Sequence, residues 1–367
     1  MTVRVNKPAF NIREKLSELE RPIGLKGSEL MKSETVQDAR DFVSAGRKNL
    51  VINGAMEIAQ RGTSGTKSGN SYGGYLCVDR WASYYDGTGM EQVERTINNK
   101  LKKALRITAG GSNGRPYVYH KIENSSKFLG DGTPFSISFW MRASASTVQQ
   151  LQWRYYDNGN ENNGTTHLIK NLVVTTEWQY YKIENLSISD ASHNRTRDGG
   201  LWNYNMNNEI GTGFWIEFTD VQIEVGKNAT EFEHRPIGEE FALCQRYYQN
   251  TNGNSAYGGT NYGETAYTGW QYDATAGSIR IRLPVQMRTN PTASVVGSVT
   301  NNPGTDGTIG AYGNGGWMNI TGITATETSP LSLRINVTGL SGSGKDAWGL
   351  YFYGSYLTAN IKVDAEL

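Results

Sequence analysis

Aromatic side chains in polar, glycine-rich loops are the residues of this chain with the clearest chemical potential. The sequence holds 21 tyrosines and 9 tryptophans. Their rings can stack on the apolar face of a sugar, while Asn, Asp, Gln and Arg side chains hydrogen-bond its hydroxyl groups. We expect a ligand-binding cluster towards the C-terminus, made of Tyr257, Tyr262, Tyr267, Trp270, Tyr272, Tyr312 and Trp317. For each residue, the alternative is loop packing or a subunit interface.

The other aromatic residues divide into a second cluster and a predicted core. The second cluster lies in the first half of the chain and comprises Tyr72, Tyr75, Tyr84 and Tyr85. Trp140, Trp153 and Trp215 fall within strand-like apolar patterns, and we expect them in the core.

Catalytic constellations are not recognisable, so the sequence predicts a protein that is not an enzyme. The histidines, at positions 120, 167, 193 and 234, have no metal-binding spacing. No G-x-S-x-G sequence lies between a strand and a helix, and "GSGKD" lacks the other residues of a phosphate-binding loop. Glycoside hydrolysis needs two carboxylates facing each other across a sugar, and no Asp/Glu cluster stands out. A polysaccharide depolymerase is the less favoured alternative.

Bulk composition excludes several functional classes. The formal net charge of +1 argues against nucleic-acid binding, which needs a basic stripe. No run of about 18 apolar residues is present to span a bilayer. The N-terminus lacks the apolar core of a secretory signal, so we expect synthesis in a cytoplasm. Cys77 and Cys244 are expected as reduced packing residues, with a single disulfide as the alternative.

Short apolar runs between Gly/Asn/Asp turns predict a mainly β protein in three parts. Residues 1–48 are predicted as an N-terminal anchoring or oligomerisation segment with short helices at 11–20 and 34–45. Residues 49–238 are predicted as a two-sheet sandwich. Residues 239–367 are predicted as a connector helix followed by a small C-terminal β-sandwich tip domain.

The connector "GEEFALCQRYYQ" has helical periodicity. Phe241, Cys244 and Tyr248 recur at i, i+3 and i+7, which places them on one helix face. We expect that face to pack between the sandwich and the tip as a rigid joint.

Several short motifs resemble known families. "NLVINGAMEIAQRG" and "FTDVQIEVGKNATEFEHRP" resemble the opening and closing strands of the jelly-roll carbohydrate-binding-module sandwich, and "DRW" at 79–81 is a frequent companion. "EEFALCQRYYQ", "RLPVQMRTNPTASV" and the terminal "DAEL" resemble tail-fibre and related appendage proteins of tailed bacteriophages. The N-terminal segment is similar to the virion-anchoring segment of marine-phage structural proteins. The resemblance covers the whole chain in three parts.

The resemblance implies a structural virion protein, most simply a tail fibre that contacts host-surface polysaccharide. It implies a homotrimer, attachment to other virion proteins through residues 1–48, and localisation in the virion. It also raises a structural calcium ion at Glu57 and Asp220, although ordinary strand-edge carboxylates are the favoured explanation of both residues. The alternative is a purely structural head, neck or tail decoration or adaptor without receptor binding.

Overall fold

The computed structural model of the protein describes residues 48–110, 117–125, 129, 132–157, 160–188, 199–205, 211–250, 267–301, 307–313, 316–340, 347–353 and 359–366. The predicted helices at 11–20 and 34–45 lie outside these ranges. Asn49–Leu367 belongs to one structural unit. The described residues are mainly β, which confirms the predicted fold class. In the part of the chain that the structure describes, no helix has the length and apolar content needed to cross a membrane.

The first twelve strands in the described ranges form two antiparallel sheets. The strands are β1 (Ser64–Thr66), β2 (Gly74–Tyr75), β3 (Trp81–Ser83), β4 (Gly89–Ile97), β5 (Lys100–Thr108), β6 (Val118–Ile122), β7 (Phe135–Ala143), β8 (Thr147–Asp157), β9 (Asn160–Val174), β10 (Gln179–Leu186), β11 (Gly199–Asn205) and β12 (Trp215–Val225). The first sheet has the order β1-β4-β5-β12-β7-β10, and the second β2-β3-β6-β11-β8-β9. Residues 98 and 99, both asparagine, join β4 to β5 with the positive φ angles of a type I′ hairpin turn.

The two sheets enclose one hydrophobic core. Ile107 and Phe139 of the first sheet pack in the same cluster as Leu151 and Trp153 of the second. Trp153 is fully buried, as predicted, and its ring lies 5.9 Å from that of Phe135. Because side chains alternate across a strand, the remaining positions point away from this core and are available for other contacts.

The C-terminal region begins with a helix and continues with further strands. The elements are α1 (Ile237–Gln245), β13 (Tyr248–Asn250), β14 (Tyr267–Gln271), β15 (Ala276–Arg282), β16 (Thr292–Val296), β17 (Ser298–Val299), β18 (Thr308–Gly313), β19 (Gly316–Met318), β20 (Gly322–Ser329), β21 (Ser332–Thr338), β22 (Ala347–Tyr353) and β23 (Asn360–Asp364). Among the described residues, one sheet has the order β13-β23-β16. The other has the order β17-β18-β22-β14-β15-β21-β20, and β19 pairs with β18. A second hydrophobic core includes Ile279, Ile335, Phe352 and Ile361 and thus residues of both sheets.

The predicted helix face at the connector is wrong. The helix α1 ends at Gln245, so Tyr248 lies in β13 rather than on the helix. Phe241 is 39% exposed, whereas Cys244 is fully buried. The sequence periodicity continued past the true end of the helix, and it therefore grouped residues that the turn at Arg246 separates. Cys244 and Cys77 are both free and buried, as expected.

Buried charged and aromatic side chains instead connect the sandwich to the C-terminal strands. We call this group the arginine joint: Arg61, Arg80, Tyr247, Tyr248 and Glu366. The Arg80 guanidinium lies 3.6 Å from the Tyr247 ring centroid and pairs with the Glu366 carboxylate. The Arg61 guanidinium lies 3.6 Å from the Tyr248 ring centroid and 3.3 Å from Glu366. The Arg80 side chain is only 1% exposed, so the loss of its partner would leave a buried charge uncompensated.

A second set of contacts holds α1 against the start of the sandwich. The Asn53 backbone amide donates to Glu240 at 2.5 Å, and the Asn53 side chain donates to the Asp79 carbonyl at 3.0 Å. The Trp81 indole donates to the Asn53 carbonyl at 3.1 Å. Arg235 donates to Glu240 at 3.2 Å. The first turn of α1 is therefore fixed to the sandwich through both backbone and side-chain groups.

His120 is a buried neutral side chain beside this joint. Its Nε2 donates to the Ile52 carbonyl at 2.9 Å, and its ring lies 4.9 Å from Trp81. Burial, with a smaller contribution from the positive charge of Arg80, lowers the pKa of His120 to about 3. Folding therefore requires the uncharged imidazole.

Removing the charge of Glu366 should destabilise the fold strongly. We expect Glu366→Gln to lower the free energy of unfolding by about 3–5 kcal/mol, because Arg80 and Arg61 lose a buried counter-charge. Urea unfolding measures this. The matched control is Glu177→Gln, at an exposed position, where a change within about 0.5 kcal/mol is expected. Equal stabilities of the two variants would contradict the role of the joint.

His120 should make stability fall in mild acid. The pKa of His120 is lower in the folded state than in the unfolded chain. The contribution of His120 to the free energy of unfolding is therefore complete above about pH 6.5 and is lost progressively towards pH 3. At pH 5 the loss is about 2 kcal/mol. Asp79 acts in the opposite direction, because burial raises its pKa to about 7.

The comparison of wild type with His120→Gln isolates the histidine, since Gln keeps a donor and does not titrate. Urea unfolding at several pH values should show that the wild type loses stability relative to His120→Gln between about pH 6.5 and pH 5. A constant difference between the two proteins across this range would show that the imidazole is not buried in its neutral form.

Candidate functional site

The outer face of the larger C-terminal sheet carries an exposed group of aromatic side chains. In β22, Trp348, Leu350 and Phe352 point into the core, so Gly349 and Tyr351 point outward. Tyr312 of β18 is the cross-strand partner of Gly349 and therefore shares this face. Across the other edge of β22, Trp270 of β14 pairs with residue 347, two residues from Gly349, and also faces outward. We call Trp270, Tyr312, Trp317 and Tyr351 the aromatic face.

Three members of the aromatic face form a rigid edge-to-face cluster. The Tyr312 and Trp317 ring centroids lie 5.2 Å apart, and Trp317 lies 5.6 Å from Tyr351. Their interplanar angles are 80° in both pairs. This geometry is the favoured one for aromatic pairs and fixes the ring orientations without a ligand. Tyr312 is nevertheless 39% exposed, so part of the cluster surface faces solvent.

Trp270 stands apart from that cluster and is the most exposed of the four rings. Its side chain is 68% exposed, and Tyr272, two residues further along the chain, is 52% exposed. One strand separates β14 from β18, so these two strands lie about 10 Å apart across the sheet. Gly349 of β22 lies between these strands and has no side chain, so the sheet surface forms a shallow depression between the two aromatic groups.

Polar side chains continue the same face beyond Trp270. Ser278 of β15 pairs with Trp270, and Asn336 of β21 pairs with Ser278. Arg334 donates to the Ser278 hydroxyl at 3.3 Å, and the next outward position of β15 is the exposed Arg280. Ser278 is itself buried, so Asn336 and the arginines are the polar groups at the surface. Separated aromatic rings beside amide and guanidinium groups suit a ligand with apolar ring faces and polar edges.

The structure brings together four of the seven predicted ligand residues. Trp270, Tyr272, Tyr312 and Trp317 lie on or beside the outer face. Tyr267 points inward, where its ring lies 6.2 Å from Phe352, and Tyr257 and Tyr262 lie outside the described residues. Sequence reasoning missed Tyr351, although the alternation in "AWGLYFY" would have marked it as outward-facing. Ligand contact by any of these residues stays a prediction.

The second tyrosine cluster is a packed unit. The ring centroids of Tyr72 and Tyr84 are 4.6 Å apart, and both rings pack on Tyr117 and Tyr119, which the sequence analysis did not identify. Tyr119 is fully buried, and its hydroxyl accepts a hydrogen bond from the Gly73 amide at 2.6 Å. These rings therefore stabilise the edge of the second sheet.

Trp140 and Trp215 are not core residues, in contrast to the prediction. Both are partly exposed on the outer face of the first sheet. Trp140 packs beside Tyr180 at 5.2 Å, and Trp215 lies under the guanidinium of Arg106 at 4.7 Å. In the sequence, apolar strand positions look alike whether they face the core or a cationic surface.

The predicted calcium residues line one cleft, of about 480 Å³. However, Asp220 is 3% exposed and pairs with the Lys102 ammonium, while Glu57 is 4.0 Å from Lys103. Among the described residues, no group of three or more His, Cys, Asp or Glu side chains is placed to hold a metal. A lysine faces each of the two carboxylates, Lys102 at Asp220 and Lys103 at Glu57, so these residues do not fit calcium.

Some solved structures are similar to part of the chain. The CBM22-2 xylan-binding domain from Paenibacillus barcinonensis Xyn10C shares 16% identity over 44% of this chain and 98% of that domain, with a TM-score of 0.31. The C-terminal family 22 carbohydrate binding module of Clostridium thermocellum Xyn10B shares 10% identity over 45% and 98%, with a TM-score of 0.30. A family 30 carbohydrate binding module shares 14% identity over 49% and 93%, with a TM-score of 0.29.

Similarities at this level assign no ligand and no activity to the chain. No family model and no curated protein matches the sequence. The functional argument therefore depends on the side chains themselves.

Calcium should not affect stability. Because Lys102 already balances the Asp220 charge, we expect the melting temperature to be the same, within about 1 °C, in excess calcium and in excess chelator. Thermal unfolding in both conditions measures this. A rise with calcium that disappears in Asp220→Asn would restore the calcium site.

Proposed function

We propose that the protein binds carbohydrate through the aromatic face of its C-terminal region. The observation that carries the proposal is the exposure of Trp270, at 68%, beside the ordered Tyr312–Trp317–Tyr351 cluster. A contiguous group of exposed aromatic side chains, unlike single scattered ones, is typical of an interaction site. The adjoining Asn336 and arginine side chains supply hydrogen-bonding groups for sugar hydroxyls.

The biological setting that we infer is a virion appendage of a tailed bacteriophage, most simply a tail fibre that contacts host-surface polysaccharide. The sequence motifs described above support this setting. We also infer a homotrimer that attaches to other virion proteins through residues 1–48. Weak single-site contacts would then multiply across copies held at fixed spacing. A rigid connection between sandwich and C-terminal region, as in the arginine joint, preserves that spacing.

A purely structural decoration or adaptor is the second candidate. In that case the aromatic face would be covered by a neighbouring virion protein rather than by a sugar. A depolymerase is a weaker candidate, because the named residues of the aromatic face include no carboxylate and hydrolysis needs two. We infer a binding protein without catalytic activity.

Replacing Trp270 should abolish most of the binding. We expect Trp270→Ala, in the full-length protein, to weaken binding of a recognised neutral oligosaccharide at least tenfold, because the ring that stacks on the sugar is lost. A panel of neutral hexasaccharides, including xylohexaose, cellohexaose and mannohexaose, is screened by calorimetry with the wild type first.

The matched control is Leu331→Ala, since Leu331 is also exposed, at 50%, but lies in the turn between β20 and β21. Its affinity should equal that of the wild type. Failure of the wild type to bind any neutral glycan or cell-surface polysaccharide would favour the structural candidate. Shortening of the oligosaccharide during incubation would favour the depolymerase.

A further inference from the structure

The outer face of the first sheet contains a buried carboxylate surrounded by three arginines. Glu217 of β12 has a side-chain exposure of 0%. Arg95 Nη2 lies 2.7 Å from one of its oxygens, Arg106 Nη2 lies 2.7 Å from the same oxygen, and Arg142 Nη2 lies 2.8 Å from the other. Each Nε also donates to Glu217, so all three guanidiniums bind it through two nitrogens. We call these four residues the arginine cluster.

Tryptophan rings hold two of these arginines in place. Arg106 lies 4.7 Å and Arg142 lies 5.4 Å from the Trp215 ring centroid, and Arg142 also lies 5.1 Å from that of Trp178. Both tryptophans are partly exposed. The guanidiniums are thus fixed by a central carboxylate and by stacking, and little conformational entropy remains to be lost when they bind a ligand.

The cluster has more positive than negative charge. Three guanidiniums face one buried carboxylate, which leaves two positive charges uncompensated. Glu91, 3.9 Å from Arg106, balances one of them only weakly, because its side chain is 52% exposed. Burial raises the pKa of the Glu217 carboxyl, but hydrogen bonds from Arg95, Arg142 and Arg106 outweigh burial and leave that pKa below its usual range. Glu217 therefore stays charged and keeps the arginines in position at neutral pH.

Each arginine also remains accessible. The three side chains are about a quarter exposed, although their Nε and Nη2 atoms bind Glu217. The surface thus combines fixed, partly exposed guanidiniums with the edges of two tryptophans. Guanidinium binds oxyanions such as carboxylate and phosphate strongly, and sulfate presents similar acceptor oxygens. The tryptophans suit a ring that carries such a group.

We propose that this face of the sandwich, formed by Arg106, Arg142, Trp178 and Trp215, is a second binding site that recognises acidic saccharides through their carboxylate or sulfate groups. The site lies on a different sheet from the aromatic face and does not depend on the function proposed for that face. Because the net charge of the chain is only +1, general attraction to polyanions is weak, and binding would depend on this local group of guanidiniums.

The test compares an acidic oligosaccharide with its neutral counterpart on the full-length protein. The probes are a hexamer of galacturonic acid and a hexamer of galactose, measured by calorimetry at low and at physiological salt. We expect only the acidic hexamer to bind, with an affinity that falls as salt rises. Equal binding of both hexamers, or no binding of the acidic one at millimolar concentration, would overturn the proposal.

Two variants locate the site without removing the central carboxylate. Trp178→Ala removes no contact of Glu217, whereas Arg142→Lys keeps the charge but loses the two-nitrogen contact with Glu217 that fixes the position of that charge. Each variant should weaken binding of the acidic hexamer at least fivefold. The melting temperature of Trp178→Ala should equal that of the wild type. Trp270→Ala, on the aromatic face, should bind the acidic hexamer like the wild type. Loss of acidic binding in Trp270→Ala, with Trp178→Ala unaffected, would assign the ligand to the aromatic face instead.

Discussion

The fold depends on two arginines that are buried where the sandwich meets the last residues of the chain. Arg61 and Arg80 each stack on a tyrosine just after α1 and share the carboxylate of Glu366. A buried guanidinium is costly unless its hydrogen bonds and its charge are satisfied, so neither half of this group is stable alone. The start of the sandwich, the end of α1 and the C-terminus must therefore be in place together.

This constraint leaves the outer sheet surfaces free for other contacts. The inward-facing side chains of the strands form two hydrophobic cores, one in the sandwich and one in the C-terminal region. The arginine joint connects these two regions. Trp270 and its neighbours can then stay exposed on the C-terminal sheet, and Glu217 can hold three arginines on the first sheet of the sandwich. Contacts within each surface already orient its side chains, through the Tyr312–Trp317–Tyr351 rings on one sheet and through Glu217 on the other, which lowers the entropic cost of recognition.

Sequence reasoning predicted the β class because strand alternation and glycine-rich turns are local signals. It also placed Trp270 and Tyr312 in one candidate site from their polar surroundings. It misplaced Trp215, because an apolar strand position gives no indication of which sheet face it occupies. The motifs around Arg61, Arg80 and Tyr247 resemble those of known families, and the structure shows that these three residues meet in the joint. Contacts between residues about 300 positions apart, such as Arg61 with Glu366, leave no local pattern to detect.

The measurement that tests the account most directly is fluorine NMR of the full-length protein labelled with fluorotryptophan, titrated with a neutral oligosaccharide that it binds. Single Trp→Phe variants assign the nine resonances. We expect the signals of Trp270 and Trp317 to shift on binding, while that of the buried Trp153 stays unchanged. Saturable binding with no shift at either Trp270 or Trp317 would contradict carbohydrate recognition by the aromatic face.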